Sequence, residues 1–156
     1  MQLLTFTVAG QDYAVESRRV VEVLPLVPAR PLPRMPDYMR GIFTYRGGLV
    51  PLVDLGIRLA DRPPAERLST RVIVVDLQPP TGCPPRRLGL VAENVISIRS
   101  TEDADASLPT LDLAAAPFLG GILRLGGRTV QVIEVDRLLP EELAAGLFPA
   151  VAETGS

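Results

Sequence analysis

Few side chains in this sequence could do chemistry, and the residue types that are missing decide much of the question. The 156 residues include no histidine, so a Ser-His-Asp triad, phosphotransfer through an imidazole and a histidine metal site are all excluded. Cys83, in the run Thr81-Gly82-Cys83-Pro84-Pro85, is the sole cysteine. One thiol closes no internal disulfide and builds no paired-cysteine zinc site. Glu102, Asp103 and Asp105 lie close together, but no loop glycine or bidentate glutamate completes a calcium-binding pattern, so they read as a solvated loop. No nucleophile–base pair and no phosphate-cradling loop is visible, which leaves the ingredients of an active site missing. What remains is charge pairing by guanidinium and carboxylate. Glu22 interrupts the apolar run Val20–Leu26, where the bland reading is an exposed strand face carrying one acid. Arg46 stands beside Gly47-Gly48 between two apolar runs.

The elements that position Arg46 are legible. From Gly41 to Leu59 the chain reads strand, turn, strand and capped helical turn. Gly47 and Gly48 supply the φ > 0 conformations that a tight hairpin requires. Asp54 is suited to cap a helical turn over Leu55–Leu59. The pattern returns without a gap 80 residues later, from Gly121 to Leu139. Gly41/Gly121, Ile42/Ile122, Gly47/Gly127, Val50/Val130 and Leu59/Leu139 are identical pairs. A looser match, Ala14–Val23 with Val91–Ile98, precedes it in the same order. The chain therefore reads as two related β units in tandem. The repeat is also a control: Gly126 stands where Arg46 stands, so the turn does not demand arginine and Arg46 needs another explanation.

The bulk properties agree. This length is that of a single domain burying roughly 70% of its unfolded surface. With 47% apolar residues and a net charge of −2, disorder is not expected. The 16 prolines and 13 glycines leave little room for long helices, so the expectation is an all-β architecture of short strands. All 16 basic residues are arginine and aromatics are 4%. The chain lacks the basic stripe of nucleic-acid binding. The first residues show no basic leader or small-residue cleavage site. No apolar run approaches the roughly 18 residues of a membrane span. A cytoplasmic protein with no direct membrane insertion is expected.

Along the chain, strands are expected over Leu3–Val8, Tyr13–Val15, Val20–Leu26, Thr70–Leu77, Arg87–Ala92 and Val95–Ile98, besides the two hairpins. In Val20–Leu24 the two-residue period puts Val20, Glu22 and Leu24 on one face. Pro25 to Pro36 holds five prolines and reads as an extended crossing, with a helical turn over Asp37–Arg40. Ala60–Ser69 is a polar linker, Pro140–Phe148 a short helix, and Val151–Ser156 a frayed end.

The spaced motifs resemble the CheW-like domain family over nearly the whole chain. They include Val20–Val23 as V-x-E-V, the R-G-x-x-x-P-x-x-D-L core from Arg46 to Leu55, G-L-x-x-E-x-V from Gly89 to Val95, and the closing V-x-V-I-E-V. Thr44-Tyr45 replaces a common Asn-Leu, which could alter the partner surface at Tyr45, and Glu93 replaces a usual Asp. The resemblance implies two SH3-like five-stranded β-barrels side by side. It divides one domain, 1–156, into halves 13–69 and 70–139, with strand 3–8 joining the second, and a helix and tail over 140–156. It implies a non-enzymatic adaptor, without cofactor, joining the cytoplasmic tips of chemoreceptors to the regulatory domain of a CheA-type histidine kinase at membrane-associated receptor arrays. The partner-binding residues it implies are Arg46, Glu22, Val20 and Gly41, with Tyr45 beside them. Two alternatives stay open: an adaptor of a Wsp-type surface-sensing pathway, suggested by V-V-E-V-L-P-L-V and the terminal L-F-P, and a small barrel binding peptide or nucleic acid.

Overall fold

The computed structural model describes residues 1–61, 69–78, 81–82, 84–108 and 113–148. Cys83, most of the 60–69 linker and the 149–156 tail lie outside them. Ten strands appear among the described residues: β1 Gln2–Val8, β2 Gln11–Glu16, β3 Val20–Pro25, β4 Met39–Tyr45, β5 Gly48–Asp54, β6 Thr70–Leu77, β7 Arg86–Ser100, β8 Ala104–Leu108, β9 Leu119–Leu125 and β10 Arg128–Ile133. Two short helices, α1 Leu55–Ala60 and α2 Glu141–Leu147, follow β5 and β10. The all-β expectation holds. The turn expected over Asp37–Arg40 gives way to β4 from Met39, and the two strands expected around Glu93-Asn94 are one. Asn94, at φ 44°, takes the conformation that asparagine tolerates better than most residues, so β7 bends there without ending.

That long β7 organises the molecule. Its first part pairs with β6 and, in parallel, with β5 at Leu52–Asp54; its second part pairs with β1 from Glu93 to Ser100. One group of strands is therefore β3-β6-β7-β5-β4, and the other is β7-β1-β2-β10-β9-β8. The groups are the same motif, cut differently. β3 pairs antiparallel with β6 as β7 does with β1, and β5 runs parallel to β7 as β10 does to β2. Hydrogen bonding does not divide the chain at residue 69. β6 and the start of β7 belong with β3–β5, whereas β1 and β2 complete the group of β9 and β10. The repeat is permuted: the second unit takes its last two strands from the start of the chain. Among the described residues, neither group is a closed ladder. In the first, Arg30 meets Ile42 of β4 through bonds of 2.8 and 2.9 Å, so the proline-rich crossing covers that edge.

Alternation along the strands sorts the core into three. Val72 and Val74 of β6 join Phe43, Tyr45, Val50, Leu52 and Val91 inside the first unit. Leu3, Ala14, Leu125 and Val130 fill the second. Ile73 and Val75 face the other way, into a larger cluster with Phe6, Val53, Leu55, Leu88, Leu90, Ile133 and Leu138, shared between the units. Buried on both faces, β6 reads as an unbroken apolar run. Each such aliphatic side chain contributes about 1.5–3 kcal/mol on burial, so the shared cluster binds the units together.

Arg58 sits at the centre of that junction. Its guanidinium lies 4.6 Å from the ring centroid of Tyr38 and 4.5 Å from that of Phe118. Its Nε donates to the Leu138 carbonyl at 2.9 Å. Tyr38 and Phe118 are repeat equivalents, as are Arg58 and Leu138, so equivalent parts of the two units meet here.

Candidate functional site

The first hairpin turns through Arg46 and Gly47, at φ 49° and 79°, while Gly48 already pairs with Tyr45 as the first residue of β5. The two positive-φ places are thus Arg46-Gly47, one position earlier than Gly47-Gly48. This matters energetically. A residue with a Cβ in the left-handed region costs about 1 kcal/mol or more, and the second hairpin avoids that cost with Gly126 and Gly127, at 57° and 79°. Arg46 is held where glycine fits better.

Around it three side chains meet. The Tyr45 hydroxyl donates to Oε1 of Glu22, and Arg46 Nη2 donates to the same oxygen at 3.0 Å. The Arg46 guanidinium lies 5.0 Å from the Tyr45 ring centroid, and that of Arg87, paired with Asp76 at 3.1 Å, lies 5.8 Å from it. The tyrosine ring is buried in the interior cluster of the first unit. The hydrogen bond to the Glu22 carboxylate raises Tyr45 above the ordinary tyrosine range, burial adding to the effect and the nearby arginines opposing it. Arg46 and Glu22 remain 59% and 40% exposed. A pair so open to water contributes at most about 1 kcal/mol to the fold, and the guanidinium keeps donors to offer elsewhere. Leu49, at 68% exposure, places an apolar side chain on the same hairpin.

The other two expected site residues are placed differently. A bulge in the pairing between Val20 and Glu22 breaks the two-residue alternation expected there. Val20 packs against the shared core, Val21 and Leu24 against the first unit's interior, and Val23 is exposed. Val20 is therefore not in the Tyr45–Glu22–Arg46 contact. Gly41 is buried at φ 134°, and a Cβ there would meet the Arg30 carbonyl oxygen at 2.0 Å. Its glycine is required by the backbone crossing it. Asp54 does what its sequence position suggests: it accepts from the Ile57 N–H at 3.2 Å to cap α1, and pairs with Arg40 at 3.0 Å. Arg87 and Leu49 were not singled out from the sequence. A leucine directly after the turn glycines was the readable signal for Leu49; nothing local announces Arg87.

An arrangement of two related β units with a charged, strained hairpin can now be set beside known proteins. The profile of the CheW-like domain matches residues 2–143. The chain belongs to the CheW-like domain family. It is 30% identical to the chemotaxis protein CheW of Rhizobium meliloti (strain 1021) over 144 residues, 90% of this chain and 88% of that protein. It is also 30% identical to protein FrzA of Myxococcus xanthus, over 88% of this chain and 84% of that one. The crystal structure of the scaffolding protein TtCheW from Thermoanaerobacter tengcongensis superposes with a TM-score of 0.72 at 22% identity, covering 89% of this chain and 87% of that chain. That likeness confirms the CheW-type fold of two SH3-like β units. Among the described residues, no helix is long and apolar enough to cross a membrane.

Proposed function

We propose that this CheW-like chain is a non-enzymatic adaptor coupling chemoreceptors to a CheA-type histidine kinase in chemotaxis-like signal transduction. It joins the kinase regulatory domain to the cytoplasmic receptor tips, and it works in the cytoplasm at membrane-associated arrays. The observation that carries the reading is Arg46. An exposed arginine is kept in a left-handed turn position that the sister hairpin gives to glycine, beside exposed Leu49 and the Tyr45–Glu22 contact. Strain of this kind persists where function requires the side chain, and arginine with an apolar neighbour is the composition of an interface anchor. The family membership and the names of the relatives support the same reading.

The test is a binding titration of the purified chain against a receptor cytoplasmic fragment and against the kinase regulatory domain. Saturable binding to both, weakened by Arg46→Ala, is expected. Failure to bind either would remove the adaptor reading. Incubation with an active kinase and ATP should leave no stoichiometric acid-labile phosphate on the chain, and its appearance would point to a phosphoacceptor instead.

A further inference from the structure

The repeat relocates an arginine from one unit to the other. Where the first unit has Tyr45 and Arg46 at its hairpin, the second has Leu125 and Gly126. In the sheet, Leu24 of β3 lies opposite Val72 of β6; the equivalent place in β7 is held by Arg99, opposite Leu3 of β1. The Arg99 side chain reaches the turn. Its Nη2 lies 3.2 Å from the point that a Cβ on Gly126 would occupy. The guanidinium therefore rests over the second turn, delivered from the neighbouring strand.

Among the described residues the Arg99 guanidinium has no ion-pair or side-chain hydrogen-bond partner, and neither has that of Arg124, which stands exposed two residues before Gly126. Nearby Arg128, by contrast, is held by both carboxylate oxygens of Asp12, at 2.5 and 3.1 Å. Arg99 is half-buried. A guanidinium partly withdrawn from water, with no counter-charge, gains more from an incoming carboxylate than an exposed one does.

We propose that Arg99, flanked by Arg124, is a second carboxylate-binding point, one that takes an acidic segment of a partner protein on the second unit. The inference rests on the adaptor reading and deepens it. A coupler must hold two proteins, and each unit then carries one arginine anchor at its turn, supplied by the turn itself in the first and by β7 in the second.

The experiment exchanges the two arrangements. Arg99→Leu installs the residue type of the first unit and is expected to weaken one of the two partners about tenfold, with the melting curve unchanged. Adding Gly126→Arg to that variant returns a guanidinium from the turn and should recover most of the lost affinity, which a packing role for Arg99 would not allow. Wild-type affinity in Arg99→Leu overturns the proposal, as does a loss that Gly126→Arg leaves unrepaired in a folded protein. Should Arg99→Leu fail to fold, Arg99→Lys keeps charge and stem while losing the planar fork; it should bind several-fold more weakly, and unchanged binding overturns the proposal. Binding of an oligonucleotide at the Arg99 turn in preference to either protein would also overturn it. If the wild-type chain binds neither partner, the adaptor reading falls and takes this inference with it. If it binds both and Arg46→Ala weakens it while Arg99→Leu does not, this inference alone falls.

Discussion

The two hairpins, eighty residues apart, share a backbone and differ at their tips. Each carries a one-residue bulge on its first strand at the same place, between Met39 and Gly41 in one and between Leu119 and Ile122 in the other. Asp54 N–H donates to the Tyr38 carbonyl at 2.7 Å, and Glu134 N–H to that of Phe118 at 2.8 Å. Yet Arg46 and Leu49 of the first tip are replaced by Gly126 and Thr129 in the second. Asp54 caps a helix, whereas Glu134 makes no side-chain cap over the 3-10 turn that follows it. Shared features show what the fold needs, so the unshared ones at the first tip need a reason outside the fold.

The comparison can be broken most severely at Gly41. Gly41→Ala would force a Cβ against the carbonyl of Arg30, a residue that two backbone hydrogen bonds hold to Ile42. A loss of about 3 kcal/mol or more is expected in denaturant unfolding, since backbone cannot yield as a side chain does. A loss below about 1 kcal/mol would show that the crossing is free to move.

The caps give the next contrast. Asp54→Ala removes both the cap of α1 and a buried carboxylate that pairs with Arg40, and should cost about 2–3 kcal/mol. Glu134→Ala removes only an exposed contact to Arg137 and should stay within about 0.5 kcal/mol. Equal costs in thermal melts would mean that the two units are more alike than their caps imply.

Arg46 is the position where the fold and the proposed function can be tested apart. Arg46→Ala is expected to melt near wild type yet to bind its partners about thirtyfold more weakly, the effect of losing an anchor worth ~2 kcal/mol. Arg46→Gly copies the second hairpin. It should gain up to about 1 kcal/mol by relieving the left-handed residue, with the same loss of binding. A destabilised Arg46→Gly would show instead that the ion pair to Glu22 holds the hairpin together.

The smallest effect is with pH. Tyr45 is raised in the folded chain, first by its hydrogen bond to Glu22. Its contribution is fully present below the tyrosine's unfolded value of about 10 and is lost as pH rises through the higher folded value. Tyr13, raised by burial, adds a loss of the same sign. Comparing unfolding of wild type and Tyr45→Phe between neutral and strongly alkaline pH isolates the Tyr45 part. Parallel curves would remove the Glu22 contact from the stability of the first unit.

Sequence alone determined what depends on a few neighbouring residues. The hairpins follow from glycines flanked by apolar runs, the α1 cap from Asp54 ahead of Leu55, and the exclusion of imidazole and disulfide chemistry from residue counts. Even the question that Arg46 poses was legible, because the repeat placed Gly126 beside it for comparison. The left-handed residue was misplaced by one position, since adjacent glycines do not say which of them turns. Only the tertiary structure decided which strands close which unit. The pairing of β1 with β7 joins Thr5 to Ser97, and no local pattern encodes a partner so distant. The same holds for Tyr45 meeting Glu22, for Arg87 beside that ring and for Arg99 over Gly126. Turn and cap chemistry is written within a few residues of backbone, while a side chain's neighbours across a sheet depend on register and bulges, which are settled only when the whole core packs.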